Sequence, residues 1–171
     1  MRFHLRVSSR FLATPESVWA LKTDPENLRE EFLPWLRLSV DDLESLRSAL
    51  KGEELPRTID ARIWAVLAWP IQLTEYEEGA SYCDRSQNAV FEEWEHHHVL
   101  QPASDAVRYL DAVTFTSRIG PPWLVARLVE ALFVHRHRRA ARKLPTDARA
   151  TGVSILRELM EVSSDGTEGF L

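Results

Sequence analysis

Cysteine is nearly absent: Cys83 is the single one in 171 residues. That excludes an internal disulfide and any multi-cysteine metal cluster, and it accords with a reducing compartment. No apolar run reaches the length of a membrane-spanning helix. The opening M-R-F-H-L-R-V-S-S-R interleaves charged with apolar side chains, unlike a signal peptide. Basic charge is not in excess either. The 21 Lys and Arg are outnumbered by 26 Asp and Glu, for a net charge of −5, which argues against a dedicated nucleic-acid binder. No G-x-G-x-x-G occurs, so no dinucleotide site is implied. The expectation is a soluble cytoplasmic protein with no nucleic-acid partner, no integral membrane segment and no cofactor.

What the chain does contain is enough apolar material for one core. Hydrophobic residues make up 44% and charged residues 27%, a globular balance. Residues 1–145 read as one domain and 146–171 as a C-terminal tail, with weak helical spacing over 153–162 and a polar end. Residues 2–12 alternate, with Phe3, Leu5, Val7 and Phe11 on one face, as in a half-buried strand. Thr14-Pro15-Glu16 and Asp24-Pro25-Glu26 are two successive helix starts, each with a capping side chain followed by proline. Residues 36–40 suggest a short strand and 41–50 a helical excursion. Strand patterns follow from Thr58 to Arg118, separated by short turns, so an antiparallel meander is expected. Pro70 reads as a break in the first of them. After Gly120-Pro121-Pro122 the spacing predicts a helix over about 123–144, with Val125, Leu128, Val129, Leu132 and Phe133 as its apolar stripe. The basic run from His135 to Lys143 reads as a helix C-terminus facing acidic strands or water, with an anionic lipid or phosphate as the alternative.

The pattern centres on residues 89–101, A-V-F-E-E-W-E-H-H-H-V-L-Q. As a strand, it puts Trp94, His96 and His98 on one face. Phe91 has the opposite parity and joins them only across a bulge. On the following strand Asp111 shares a face with Val107, Tyr109, Val113 and Phe115. A buried carboxylate needs a partner, and His96 or His98 is the obvious candidate. The acidic set of Glu75, Glu77, Glu78, Glu92, Glu93 and Glu95 reads as a solvated face, and Cys83 as an inert neighbour.

Strand, two short helices, antiparallel strands and a long C-terminal helix: this order resembles the helix-grip fold of the START-like (SRPBCC) superfamily of polyketide cyclase/dehydrase and lipid-transport type proteins. Within it, the chain resembles a bacterial ligand-binding group with an aromatic-x-Asp pair, then Phe-x-x-Trp-x-His-x-His, then an Asp on the next strand. Here these are Tyr82 and Asp84, then Phe91, Trp94, His96 and His98, then Asp111. The stretch F-L-A-T-P-E-S-V-W, from Phe11 to Trp19, matches the superfamily's usual entry into its first helix. The resemblance runs from Met1 to about Lys143. The group's usual Gly-Pro before the Phe is Ala89-Val90 here, and neither the 41–50 insert nor the tail is typical.

The fold expected is therefore α+β, a curved antiparallel sheet of six to seven strands around a long C-terminal helix. A ligand-binding cavity is expected between them, framed by Tyr82, Asp84, Trp94, His96, His98, Tyr109 and Asp111. Its function reads first as binding of a small, partly apolar molecule. The second reading is a cyclase, dehydratase or hydrolase using His96, His98 and Asp111 as acid and base. The third is a protein–protein module whose cavity is filled by side chains. Beside these stands a purely structural polar network. As metal ligands, His96 and His98 lack an assured third partner and His97 points away, so no metal is expected.

Overall fold

The alternation at the start of the chain produces β1, Arg2–Phe11, and buries Phe3, Leu5, Val7 and Phe11. Both helix starts form as their cap residues dictate. The Thr14 hydroxyl accepts the Ser17 N–H at the head of α1, Pro15–Thr23, and the Asp24 carboxylate accepts the Asn27 N–H at the head of α2, Pro25–Glu31. A short strand β2, Leu38–Val40, and helix α3, Leu43–Ala49, follow. Then come β3, Arg57–Ile63; β4, Leu67–Glu77; β5, Ser81–Ser86; β6, Phe91–Pro102; and β7, Val107–Ser117. Helix α4, Pro122–Lys143, is 22 residues long, which at 1.5 Å per residue is roughly 33 Å. This computed structural model describes residues 1–34, 37–40, 43–51, 55–63, 66–144, 155–162 and 168–170.

All strands pair antiparallel in one sheet of order β2-β3-β4-β5-β6-β7-β1, extended past β1 by β8, Ile155–Val162, and β9, Glu168–Phe170. The seven strands before α4 agree with the expected six to seven. Two glycines make the tight turns possible: Gly79 (φ 75°) between β4 and β5, and Gly120 (φ 63°) before α4.

Four expectations are corrected. The helical spacing over 153–162 does not yield a helix, since its described part, Ile155–Val162, is strand β8. The free edge of β1 presents unpaired N–H and C=O groups, and a strand satisfies them where a helix cannot. Pro70 does not break a strand but sits inside β4, opposite Asp60. Because β5 covers β4 only from Gln72 onward, the missing N–H of Pro70 falls where β4 has β3 as its neighbour and an open edge opposite. The apolar stripe of α4 is rotated from the one expected. Leu128 is 56% exposed, while Val125, Val129, Phe133 and Ala140 are buried together with Arg136 and His137. The basic run therefore divides. Arg136 and His137 turn into the core, and Lys143 pairs with Glu30 on α2 instead of an acidic strand.

The core has two apolar clusters. One gathers Phe11, Trp19, Tyr82, Leu100, Tyr109 and Ala140; the other gathers Phe3, Val7, Trp94, Val113, Phe115 and Phe133. Between them β1, β5, β6, β7 and α4 carry polar residues at inward positions. These are Ser9 on β1, Asp84 on β5, His96 and His98 on β6, Asp111 on β7 and His137 on α4. The alternation of strands and the 3.6-residue period of α4 thus continue unbroken through a polar layer.

Candidate functional site

β6 is the strand on which this layer is built. Its bulge between Phe91 and Glu93 shifts the register, so Phe91 joins Trp94 on the inner face with ring centroids 4.8 Å apart. His96 lies directly opposite Asp84 of β5, and His98 directly opposite Asp111 of β7. The two imidazoles lie with centroids 3.7 Å apart and planes tilted by 43°, and Tyr82 stacks on His98 at 3.8 Å.

Asp111 is fully buried and meets three imidazoles. Its Oδ1 is 3.1 Å from His96 Nε2 and 3.0 Å from His98 Nδ1, and its Oδ2 is 3.0 Å from His137 Nε2. The Tyr109 hydroxyl donates to Asp111 Oδ1 at 2.8 Å, with its oxygen 2.6 Å from His98 Nδ1. On the far side, His137 Nδ1 meets the Ser9 hydroxyl at 2.7 Å. Asp84 faces the same two β6 histidines from β5. Its Oδ2 lies 3.2 Å from His96 Nδ1 and 3.1 Å from His98 Nε2, and its Oδ1 accepts from Trp94 Nε1 at 3.3 Å.

All seven residues singled out in the sequence thus converge: Tyr82, Asp84, Trp94, His96, His98, Tyr109 and Asp111. Beneath them lies an ion cluster that the sequence reading missed. Lys22 Nζ donates to Glu31 Oε1 at 2.9 Å, Arg136 Nε donates to Glu31 Oε2 at 3.4 Å, and all three side chains are buried. Lys22 also sits 4.5 Å over the Tyr109 ring. Helical spacing carried the signal: Lys22 follows Val18 and Trp19 on the inner face of α1, and Arg136 and His137 continue the Val129–Phe133 row.

The electrostatics follow from burial and mutual charge. Burial pushes the Asp84 and Asp111 carboxyls up, but the histidines around them outweigh it and hold both below the usual carboxylate range. Burial lowers His96, yet its two carboxylate neighbours raise it above the ordinary imidazole value. His98 is lowered, by burial and then by the charge of His96; His137 is lowered chiefly by burial. Of the three imidazoles, His96 is therefore the one most ready to take a proton, between two carboxylates. Such a set can orient a polar ligand, exchange a proton or hold a cation. For the last, Asp84, His96 and His98 supply donor atoms that all lie within 4.8 Å of one another. Cys83 takes no part. It lies on the other face of β5, 3.8 Å from His97, and burial pushes its thiol up to about 11.

A cavity of about 100 Å³ opens beside the polar layer, between the sheet, α3 and α4. Asp84, His96, His98 and Arg136 line one end. Ile59, Ile71 and Leu73 from the sheet and Leu46 and Leu50 from the 41–50 insert are among the apolar residues that line the rest, with Leu28 of α2 and Leu132 of α4. The insert is thus part of the cavity wall.

No curated protein matches the chain. Among solved structures it is similar to protein CV1439 from Chromobacterium violaceum, with a TM-score of 0.64 and 14% identity over 84% of this chain and 99% of that one. It is similar to a START superfamily protein from Mycobacterium smegmatis, with a TM-score of 0.61 and 13% identity over 82% and 97%. DynU16, a protein of the dynemicin biosynthetic locus, aligns with a TM-score of 0.58 and 18% identity over 81% of this chain and 46% of its own. The resemblance of fold read from the sequence is thereby met. A family described as "Domain of unknown function (DUF8410)" matches residues 9–144, and the chain, START-like in fold, belongs to that family.

Proposed function

We propose that the protein binds a small, partly apolar molecule in the cavity between its sheet and α4. The observation that carries this reading is the two-ended lining of the space: apolar side chains over most of it, and Asp84, His96, His98 and Arg136 at one end. Such a division suits a ligand whose apolar body displaces water and whose polar group meets fixed partners. At about 100 Å³ the cavity holds several water molecules, or one ring or short chain in their place. The buried guanidinium of Arg136 favours an anionic or carbonyl-bearing head group. That the space is not closed by side chains weighs against a protein–protein module with a filled interior.

Native mass spectrometry of the purified chain, followed by denaturation and analysis of what is released, tests the reading. A retained small molecule is expected in the wild type. Leu132→Trp, which places bulk into the cavity from the half-buried face of α4, is expected to lose it while keeping its circular dichroism. A clean apo mass, with no thermal stabilisation by short fatty acids or aromatic acids, would count against ligand binding.

A further inference from the structure

The polar end of the cavity poses a problem in proton arithmetic. His96 and His98 each have a carboxylate within hydrogen-bond distance of both ring nitrogens. A neutral imidazole has one N–H. If each ring gives it to the outer partner, His96 to Asp111 and His98 to Tyr109 and Asp111, then His96 Nδ1 and His98 Nε2 both aim lone pairs at Asp84 Oδ2. Three lone pairs then converge on one point at the cavity wall. In that tautomer a proton on one ring relieves one of these contacts and leaves the other. A cation at the convergence relieves both.

We propose that Asp84 Oδ2, His96 Nδ1 and His98 Nε2 bind a divalent transition-metal ion of the zinc or iron(II) kind. Metal–ligand bonds of about 2.0–2.2 Å in tetrahedral geometry place neighbouring ligand atoms roughly 3.3–3.4 Å apart. The carboxylate oxygen stands 3.2 and 3.1 Å from the two nitrogens, close to that spacing, and all three donor atoms lie within 4.8 Å of one another. Around this trio stands the outer set that metal-binding histidines require. Asp111 and Tyr109 receive the remaining ring N–H groups, and Trp94 Nε1 donates to the other oxygen of Asp84. Two imidazoles and one carboxylate select zinc or iron over magnesium or calcium. All three ligands line the cavity, so the remaining coordination positions face the space a ligand would occupy.

Charge narrows the partner further. Asp84, Asp111 and Glu31 stand against the fixed cations Lys22 and Arg136, leaving one negative charge when the histidines are neutral. A divalent ion exceeds that by one. An anion bound to the metal, hydroxide or a ligand carboxylate, restores balance, with Arg136 on the same wall to meet it. The site does not depend on retention of an apolar ligand, and the two proposals can fail separately.

The test uses the full chain, freed of any histidine tag and stripped with a chelator, then titrated with Co²⁺ and followed by visible absorption. One equivalent bound, with ligand-field bands and a rise in Tm, is expected. X-ray absorption of the Co²⁺ protein should show two imidazoles and no sulfur. Asp84→Asn and His98→Gln should abolish uptake, Tyr109→Phe should weaken it about 10-fold by loosening the orientation of His98, and His97→Ala, on the opposite face, should leave it unchanged. No stoichiometric uptake by folded wild-type protein overturns the proposal. So does uptake that survives Asp84→Asn but is lost in His97→Ala, or sulfur in the Co²⁺ shell. The first and the last of these outcomes are read on the wild-type chain and need no variant to fold.

Discussion

Asp111 is the residue on which the polar layer turns. It is fully buried, and three imidazoles and a tyrosine hydroxyl point at it. Asp111→Asn keeps the shape but removes the charge that His96 and His137 answer to. Breaking a buried pair from one side is worth about 3 kcal/mol or more, because the remaining partners stay desolvated. In urea unfolding the midpoint should fall by that equivalent with an unchanged slope. A loss below about 1 kcal/mol would show that the carboxylate charge is not what holds the layer. At this scale the sequence was informative. The inward parity of Asp111 and of His96 and His98 was readable, because a strand's side chains alternate wherever no bulge intervenes. Lys22, Glu31, Arg136 and His137 were hidden because charged residue types at helical spacing read as solvent-facing, and only their meeting in space cancels the cost of burial.

Within the meander the inward alternation of β6 and β7 needed only their own patterns, whereas Pro70, read as a break, lies inside β4. Gly79 shows how local such control is. It holds φ 75° in the turn between β4 and β5, and a Cβ there would meet nothing within 4 Å. Gly79→Ala should therefore cost only the left-handed backbone penalty, about 1 kcal/mol, seen as a lower Tm with an unchanged fold. A neutral result would mean that the turn relaxes to another conformation. β8 is the contrary case. Its apolar positions, Leu156 and Met160 among them, satisfy a helix as well as a strand, and the free edge of β1 decides between the two.

The cluster of Glu31, Lys22 and Arg136 ties α1, α2 and α4 together under the sheet, so its titration bears on the whole molecule. Burial pushes the Glu31 carboxyl up, but the charges of Lys22 and Arg136 and the Lys22 hydrogen bond outweigh it and hold it below its ordinary value. A depressed carboxyl contributes stability that is present above the unfolded-state value, about 4.3, and lost as pH falls through the folded one. Asp111 acts in the same sense. So does His137, whose lowered affinity for a proton begins to cost stability below about pH 6.5. His96, raised, acts in the opposite sense, so Tm should fall chiefly below about pH 4.5, and Glu31→Gln should flatten that fall while lowering Tm at pH 7. An unchanged acid limb in that variant would remove Glu31 from the account.

The sequence by itself determined the order of helices and strands up to α4 and the side of β6 on which Trp94, His96 and His98 stand. Periodicity, caps and turn residues are properties of neighbours in the chain. Only the tertiary structure decided which strand covers the edge of β1, that Asp84 closes on the two histidines as a third donor, and that Arg136 and His137 face inward. Those outcomes depend on charges and backbone groups far apart in sequence, whose burial becomes favourable only when they meet.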